Sequence, residues 1–370
     1  MRKRTNLILL HQKKHFDKWI IFFTIFFSLF GLLMIFESSN VAAFKDFGDK
    51  YHFVKEQMIS FFIGLCIMFV TSFIHYKRYY YLSLVLLIVT IILLIAVFIP
   101  GISIKAYGAR RWLGFAFFNF QPAELAKLSL IIYLSAWFSN KEKGRLIPFL
   151  LLISLIVGLV ILEPDLGTAV IMVTISIVVY FLSGAPIWQF LFIIPTIILS
   201  LIGLAVSSPY RLRRLTTFFD PNADPLGASY HIRQILISLG SGGLFGIGLG
   251  ASKQKYQYLP EATTDSIFAI IGEEFGFLGA IILIIMFLIF FYRIVRIAKR
   301  APDRQSYLLA SGIFVLFAVQ LLINLSAIVA LLPLTGVPLP FISYGGSNLI
   351  ISFTAIGILL NISKYVIDKK

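Results

Sequence analysis

A chain of 370 residues in which 59% are hydrophobic and 13% charged is too apolar to be an ordinary water-soluble globular protein. Its formal charge of +15 would suit a nucleic-acid binder, but the basic residues sit at the ends of apolar runs, which argues against nucleic acid and for a membrane. The lone cysteine, Cys66, lies inside one of those runs and excludes an internal disulfide.

Ten apolar runs of bilayer-crossing length are predicted as helices, at 19–36, 58–74, 81–99, 123–138, 146–162, 166–182, 187–206, 266–292, 307–332 and 347–365. The expected fold is therefore an all-α polytopic membrane protein, one domain over 1–370. Residues 1–18 carry Arg2, Lys3, Arg4, Lys13, Lys14 and Lys18, and no small-residue cleavage site ends the first run, so a retained anchor is expected. With residues 1–18 in the cytoplasm, the larger share of the 32 Lys and Arg falls on the inner side, and both termini are cytoplasmic. The connections on that side are short. The outer side holds 101–122, the turn at 163–167, a large loop over 207–265 between helices 7 and 8, and 333–346; loops of that length are uncommon unless functional.

The polar residues gather on the outer side. In Gln121-Pro122-Ala123-Glu124-Leu125-Ala126-Lys127, Pro122 suits a helix start, and Glu124 and Lys127 share a face at i,i+3. Such a pair either locks helices together or lines a cavity. In Glu163-Pro164-Asp165-Leu166-Gly167-Thr168, Asp165 is either an N-cap or an electrostatic group at the boundary. Within the large loop, Tyr210 to Arg214 is a basic cluster and 230–239 has amphipathic spacing, followed by six glycines between 240 and 250. Those glycines serve either as a hinge or as amides presented to an anion. The loop ends at Leu259-Pro260-Glu261-Ala262-Thr263-Thr264-Asp265, which puts carboxylates at the mouth of a span. Asp265 is an N-cap or a functional group held against desolvation. The outer cations Lys105, Arg110, Arg111, Arg211, Arg213, Arg214, Arg233, Lys253 and Lys255 would attract a phosphorylated substrate. Glu273 and Glu274 lie deeper in the eighth run and are expected to pair within the bundle. His231 has no second His or Cys nearby for zinc, and Ser241 and Ser343 have no plausible base for a hydrolase triad.

The motifs Gly108-Ala109-Arg110-Arg111-Trp112, Gln121 to Lys127, Pro164-Asp165-Leu166-Gly167-Thr168, Gly240 to Gly250, Leu259 to Asp265 with Gly272-Glu273-Glu274, and Pro338 to Gly346 resemble, in that order, the SEDS family (shape, elongation, division and sporulation). The resemblance covers essentially the whole chain and inclines to the FtsW-type division branch, with RodA-type elongation as the alternative. It implies a peptidoglycan glycosyltransferase that polymerises lipid II on the outer face of the bacterial cytoplasmic membrane. Asp265 then matches the catalytic aspartate of the large loop, Glu124 and Lys127 the paired charges beside the cavity, and Asp165 the aspartate of its motif. Arg111, Gln121, Arg211, Arg214, Lys255 and Glu261 are the further substrate or cavity candidates. Ala123, Ser266 and Glu163 depart from the residues common at those positions, and Glu163 adds a negative charge beside Asp165. The resemblance implies no tightly bound cofactor, with a divalent cation as a candidate aid to the pyrophosphate, and a class B penicillin-binding transpeptidase among other division or elongation proteins as partners. A lipid II flippase and a division-complex scaffold are the rival functions.

Overall fold

The computed structural model describes residues 11–12, 15–106, 109–115, 118–140, 144–207, 209–219, 229–254 and 258–368. The apolar runs become helices: α1 (Lys18–Phe47), α2 (His52–Phe73), α3 (Arg78–Ala96), α4 (Pro122–Ser139), α5 (Leu146–Leu162), α6 (Leu166–Leu182), α7 (Ile187–Val206), α10 (Ile267–Lys299), α11 (Arg304–Ile328) and α12 (Gly346–Lys364). Two further helices, α8 (Pro209–Phe219) and α9 (Tyr230–Ser241), fold within the large loop. Seven helices are long and apolar enough to cross a membrane, and α5 and α6 are apolar helices of 17 residues. α4 has 18 residues and carries the Glu124–Lys127 pair.

Local chemistry sets the helix ends. Asp17 and Asp165 cap α1 and α6 by accepting from backbone N–H groups, Asp303 and Ser306 form a reciprocal capping box on α11, and Pro122 opens α4. The all-helical expectation needs amending at two places. The segment 101–122 folds as an antiparallel sheet of β2 (Ser103–Ala106), β3 (Ala109–Phe115) and β4 (Phe118–Phe120), and β1 (His11–Gln12) pairs with β5 (Ile367–Asp368). The residues 111–119, rich in aromatics with Gly114 among them, show no strict apolar–polar alternation, so the sheet is set by pairing between segments rather than by a local period-2 signal.

The core lies where α4, α6, α10, α11 and α12 meet. It contains the buried rings Phe27, Phe287, Phe290, Phe317 and Phe353. Into these rings the segment between α11 and α12 sends Phe341, whose centroid lies 4.9 Å from Phe317 and 5.8 Å from Phe290. Phe341 adopts φ 64°, a left-handed conformation that costs a non-glycine residue about 1–3 kcal/mol and persists here under aromatic packing.

The glycine-rich segment packs against a break in α10. At Gly276 the backbone leaves the helix with φ 69° and ψ −170°. The amides of Ile247 and Gly248 donate to the carbonyls of Glu273 and Glu274 at 3.0 and 3.1 Å, and Phe277 and Leu278 donate to Gly243 and Leu244 at 2.9 and 3.1 Å. Those four bonds replace the interrupted helical ladder, as backbone at membrane depth requires. The glycines therefore serve close approach: a Cβ on Gly242 would lie 2.1 Å from the Gly272 carbonyl oxygen. The Glu273 carboxylate accepts from Ser238, Ser241 and Ser252, the last at 2.6 Å, so that acid holds the glycine segment in place.

Gly242→Ala is expected to lower folded, monodisperse protein on detergent size exclusion, by about 1–3 kcal/mol or more of overpacking. Gly240→Ala, with nothing within 4 Å of the new Cβ, is expected to leave the elution profile unchanged.

Candidate functional site

The N-termini of α4, α6 and α12 come together at one end of the bundle, and that of α10 is tied to them through the segment 334–348. The Gln121 amide N–H donates to Ser347 Oγ at 3.0 Å, Gln121 Nε2 donates to Asp165 Oδ2 at 3.2 Å, and Asn348 Nδ2 donates to Glu124 Oε2 at 2.8 Å. Tyr344 N–H donates to Thr263 O at 2.9 Å, and Ser343 Oγ donates to Thr264 O. Four helix N-termini near one place make a field that favours an anion.

Asp265 ends a turn that begins at Glu261, which is held at φ 50°. The amides of Thr264 and Ser266 both donate to the Glu261 carbonyl at 3.2 Å. Asn324 of α11 donates to the carbonyls of Asp265 and Val337 at 2.8 and 2.9 Å, so one side chain fixes the turn and the neighbouring segment together. Thr264 Oγ1 lies 2.9 Å from Glu261 Oε2 and 3.3 Å from Asp265 Oδ1. Gly336 stands beside the carboxylate, a Cβ there lying 4.0 Å from Asp265 Oδ2, and Asp265 keeps 9% of its surface exposed. Burial, then the Glu261 charge, push the Asp265 carboxyl up to about 7, against the pull of Arg214 and the Thr264 hydroxyl. Such a group takes and returns a proton near neutral pH, which a general base needs.

Arg214 of α8 feels the Asp265 charge and donates to the Leu334 carbonyl at 2.8 Å. Arg211 stands three residues earlier on α8, and its side chain, like the whole of Lys255, lies outside the described residues. Glu261 is exposed on the same turn as Asp265. The structure thus gathers Asp265, Glu261 and Arg214.

A second group forms around the α5–α6 turn. Asp165 caps α6 through the Thr168 amide at 3.0 Å and accepts from Thr168 Oγ1 at 2.9 Å, while Gln121 reaches its other side. Asp165 is thus the N-cap of α6 and also ties that helix to Gln121. Arg111, carried by β3, donates to the Glu163 carbonyl at 3.0 Å and to the Pro164 carbonyl. Glu163 is wholly buried, and neither carboxyl oxygen has a hydrogen-bond partner. Burial first, then the Asp165 charge, push it up to about 8 despite Arg111, so it stands protonated at neutral pH. Lys127 and Glu124 form a buried ion pair in which Lys127 Nζ lies 2.9 Å from both carboxylate oxygens, and Asn348 Nδ2 also donates to Oε2 at 2.8 Å.

Asn324, Asn348, Ser343 and His231 belong to these groups and were not singled out as site residues from sequence. The partners that tie them to the site stand far along the chain, 59 residues for Asn324 to Asp265, 79 for Ser343 to Thr264, 35 for His231 to Ser266 and 224 for Asn348 to Glu124. Among the described residues no set of three or more His, Cys, Asp or Glu side chains comes together to hold a metal ion. The candidate divalent cation therefore receives no ligand set here, and no step below is routed through one.

The profile of the FtsW/RodA/SpoVE family, described as a cell cycle protein, matches residues 17–367. Stage V sporulation protein E of Bacillus subtilis is 38% identical over 355 residues, covering 94% of this chain and 97% of that protein. "Probable peptidoglycan glycosyltransferase FtsW" of Trichlorobacter lovleyi is 39% identical over 358 residues, covering 94% and 93%. Among solved structures, a chain of a peptidoglycan synthase complex, studied for the coordination of polymerization and crosslinking, superposes with a TM-score of 0.78 at 27% identity, covering 94% of this chain and 97% of that one. The rod shape determining protein RodA of Thermus thermophilus superposes with a TM-score of 0.70 at 26% identity, covering 94% and 96%.

Two outcomes follow from the buried charges. Because the folded Glu163 carboxyl titrates near 8 and an exposed one near 4.5, the unfolded chain loses this proton first, so stability falls as pH rises from about 4.5 to about 8. Glu163→Gln is expected to remove that slope and gain on the order of 1–4 kcal/mol at pH 8 over pH 4.5, read by thermal melts at both pH values. Lys127→Met leaves Glu124 buried without its cation and is expected to cost about 3–5 kcal/mol, whereas Glu124→Gln with Lys127→Met is expected to recover most of the loss.

Proposed function

This chain belongs to the FtsW/RodA/SpoVE family of cell cycle proteins, and from that premise we propose that it is a peptidoglycan glycosyltransferase that polymerises lipid II into glycan on the outer face of the bacterial cytoplasmic membrane. The observation that carries the reading is Asp265: a carboxyl at the mouth of a span, buried so that it titrates near 7, beside Glu261 and Arg214. The relatives and the synthase-complex likeness support the activity.

In the proposed reaction the Asp265 carboxylate takes the proton of the acceptor sugar hydroxyl. The hydroxyl oxygen then bonds to the anomeric carbon of the donor as the bond from that carbon to the lipid pyrophosphate breaks, and the pyrophosphate leaves with the electron pair. Attack from the face opposite the leaving group inverts the anomeric centre, so one base suffices and no glycosyl–enzyme bond forms. Arg111, Arg214 and, by its place on α8, Arg211 serve the negative charge of the pyrophosphate, together with the helix N-termini. Lys255 is proposed in the same role from its charge and its place in the large loop. Gln121 and Asp165 hold the N-termini of α4 and α6 together, and the Glu124–Lys127 pair with Asn348 holds α4 to α12. A divalent cation is proposed only as a companion of the donor pyrophosphate.

We read α1 to α7 and α10 to α12 as ten membrane crossings of a single domain, with both termini cytoplasmic and the 207–265 loop outside. The basic flanks support that orientation. The FtsW relatives reach 39% identity against 26% for the RodA structure, which supports the division branch. The synthase-complex likeness supports a class B penicillin-binding transpeptidase as partner.

Polymerisation of lipid II by the purified protein with its cognate transpeptidase is expected to fall about 10²- to 10⁴-fold on Asp265→Asn, read as glycan strands by gel. Undiminished polymer from the variant would move the base elsewhere. Transport of labelled lipid II across liposomes with no polymer from wild type would replace the reading with a flippase.

A further inference from the structure

His231 stands in the first turn of α9, and its ring lies against both ends of the turn that carries Glu261 and Asp265. Its Nε2 is 2.8 Å from Ser266 Oγ. The ring also faces the backbone of Pro260. Proline has no N–H, so the group at Pro260 is its carbonyl, which only accepts. The ring nitrogen facing Pro260 therefore carries a hydrogen. Burial, then the nearby Arg214 charge, hold His231 down to about 4, so at neutral pH the ring is neutral and has one N–H. Nε2 is then the bare nitrogen, and Ser266 Oγ–H donates to it.

Ser266 is the N-cap residue of α10, a position where serine commonly accepts from the amides of the first turn. Here its side chain makes no capping bond, and it is wholly buried. Its hydroxyl is given to the histidine instead. Burial also excludes a nucleophilic role for this Ser–His pair, because no substrate carbon reaches an enclosed hydroxyl.

We infer that His231 is a positioning residue for the proposed reaction: by joining Pro260 to Ser266 it fixes the two ends of the 261–265 turn and holds the Asp265 carboxylate in its place beside Glu261 and Arg214. The inference rests on the reading of Asp265 as the base. The turn needs fixing at both ends because Glu261 at φ 50° is in a conformation that the chain does not choose unaided. From the α11–α12 side, Asn324, Ser343 and Tyr344 hold the main chain of residues 263–265. Those contacts leave Pro260, at the other end of the turn, without an anchor from that side. His231 supplies one from α9, which is itself fixed to α10 by Ser238 Oγ donating to Ala269 O at 2.9 Å and by the buried Ile232 and Ile235. The charged groups facing the Asp265 carboxylate are Glu261 on its own turn and Arg214 on α8; His231 is neutral, and Asn324, Ser343 and Tyr344 carry no charge.

The test uses the full chain with its transpeptidase in lipid and compares wild type with Asp265→Asn, Ser266→Ala, His231→Ala and the Ser266→Ala/His231→Ala pair. Three results are expected. First, each single clamp variant lowers kcat by about 10- to 100-fold with KM nearly unchanged, and the double variant is no worse than either single one, because both remove the same link. Second, the acid limb of the pH–rate profile moves to lower pH in Ser266→Ala, as Asp265 gains water. Third, amide hydrogen exchange over 259–266 speeds up in Ser266→Ala while α11 and α12 keep their protection.

Ser266→Ala removes a single oxygen, so it reads the clamp even where His231→Ala does not fold. Wild-type kcat and an unmoved acid limb in Ser266→Ala, or exchange over 259–266 equal to wild type, would overturn the inference. The exchange readout needs no turnover, so it decides the clamp separately from the activity. Equal activity of wild type and Asp265→Asn would instead remove the reading of the base.

Discussion

The segment 334–348 is the constraint on which the outer end of this molecule depends. It gives its main chain or side chains to α2, α4, α8, α11 and the Asp265 turn: Gly345 N–H to Gln57, Asn348 to Glu124, Leu334 O to Arg214, Val337 O to Asn324, and Ser343 to Thr264 O. Polar groups buried in a helix bundle have few partners, and an irregular segment running into the N-terminus of α12 can offer donors and acceptors in directions that a helix cannot. Phe341, seated among Phe27, Phe290, Phe317 and Phe353, anchors the segment and offsets the strain of its left-handed backbone. Polar satisfaction and aromatic packing are thus one device.

That device places acids where water is scarce. Asp265 and Glu163 are both pushed upward by burial and by a neighbouring carboxylate, yet the outcomes differ. Glu163, wholly enclosed and without hydrogen bonds, stands neutral and fills space beneath Asp165. Asp265, 9% exposed beside Gly336 and Arg214 and hydrogen-bonded by Thr264, is raised less far and titrates near neutrality. Two carboxyls with similar causes of shift thus end at different values because one is wholly enclosed without hydrogen bonds to its oxygens and the other is not.

Much of the helical fold was legible in the sequence, because a run of apolar residues with a capping Asp or an opening Pro specifies a membrane helix locally. The i,i+3 spacing of Glu124 and Lys127 gave their pairing, and the acids of 259–265 gave the centre of the site. What the sequence hid is set by distance along the chain. The partner of Glu124 lies 224 residues away at Asn348, and the carbonyl of Asp265 is fixed by Asn324, 59 residues on. The glycines of 240–250 are ambiguous in sequence between a hinge and an anion cradle. The structure uses them for close approach to α10 at its break, which only Gly276 itself marks, because the amides of Ile247 and Gly248 are bonded to α10 carbonyls. His231 was set aside as a metal ligand for want of a second histidine, while its actual partners, Pro260 and Ser266, are of types that a search for ligands does not consider.

The central claim is that Asp265 acts as a base because the fold raises its carboxyl to about 7. The most direct measurement is kcat/KM for lipid II polymerisation by wild type across pH 4.5 to 9. The account predicts activity that rises with pH, one proton being lost, with its midpoint near 7. An acid limb centred near 4, where an ordinary aspartate titrates, or activity independent of pH through this range, would contradict it.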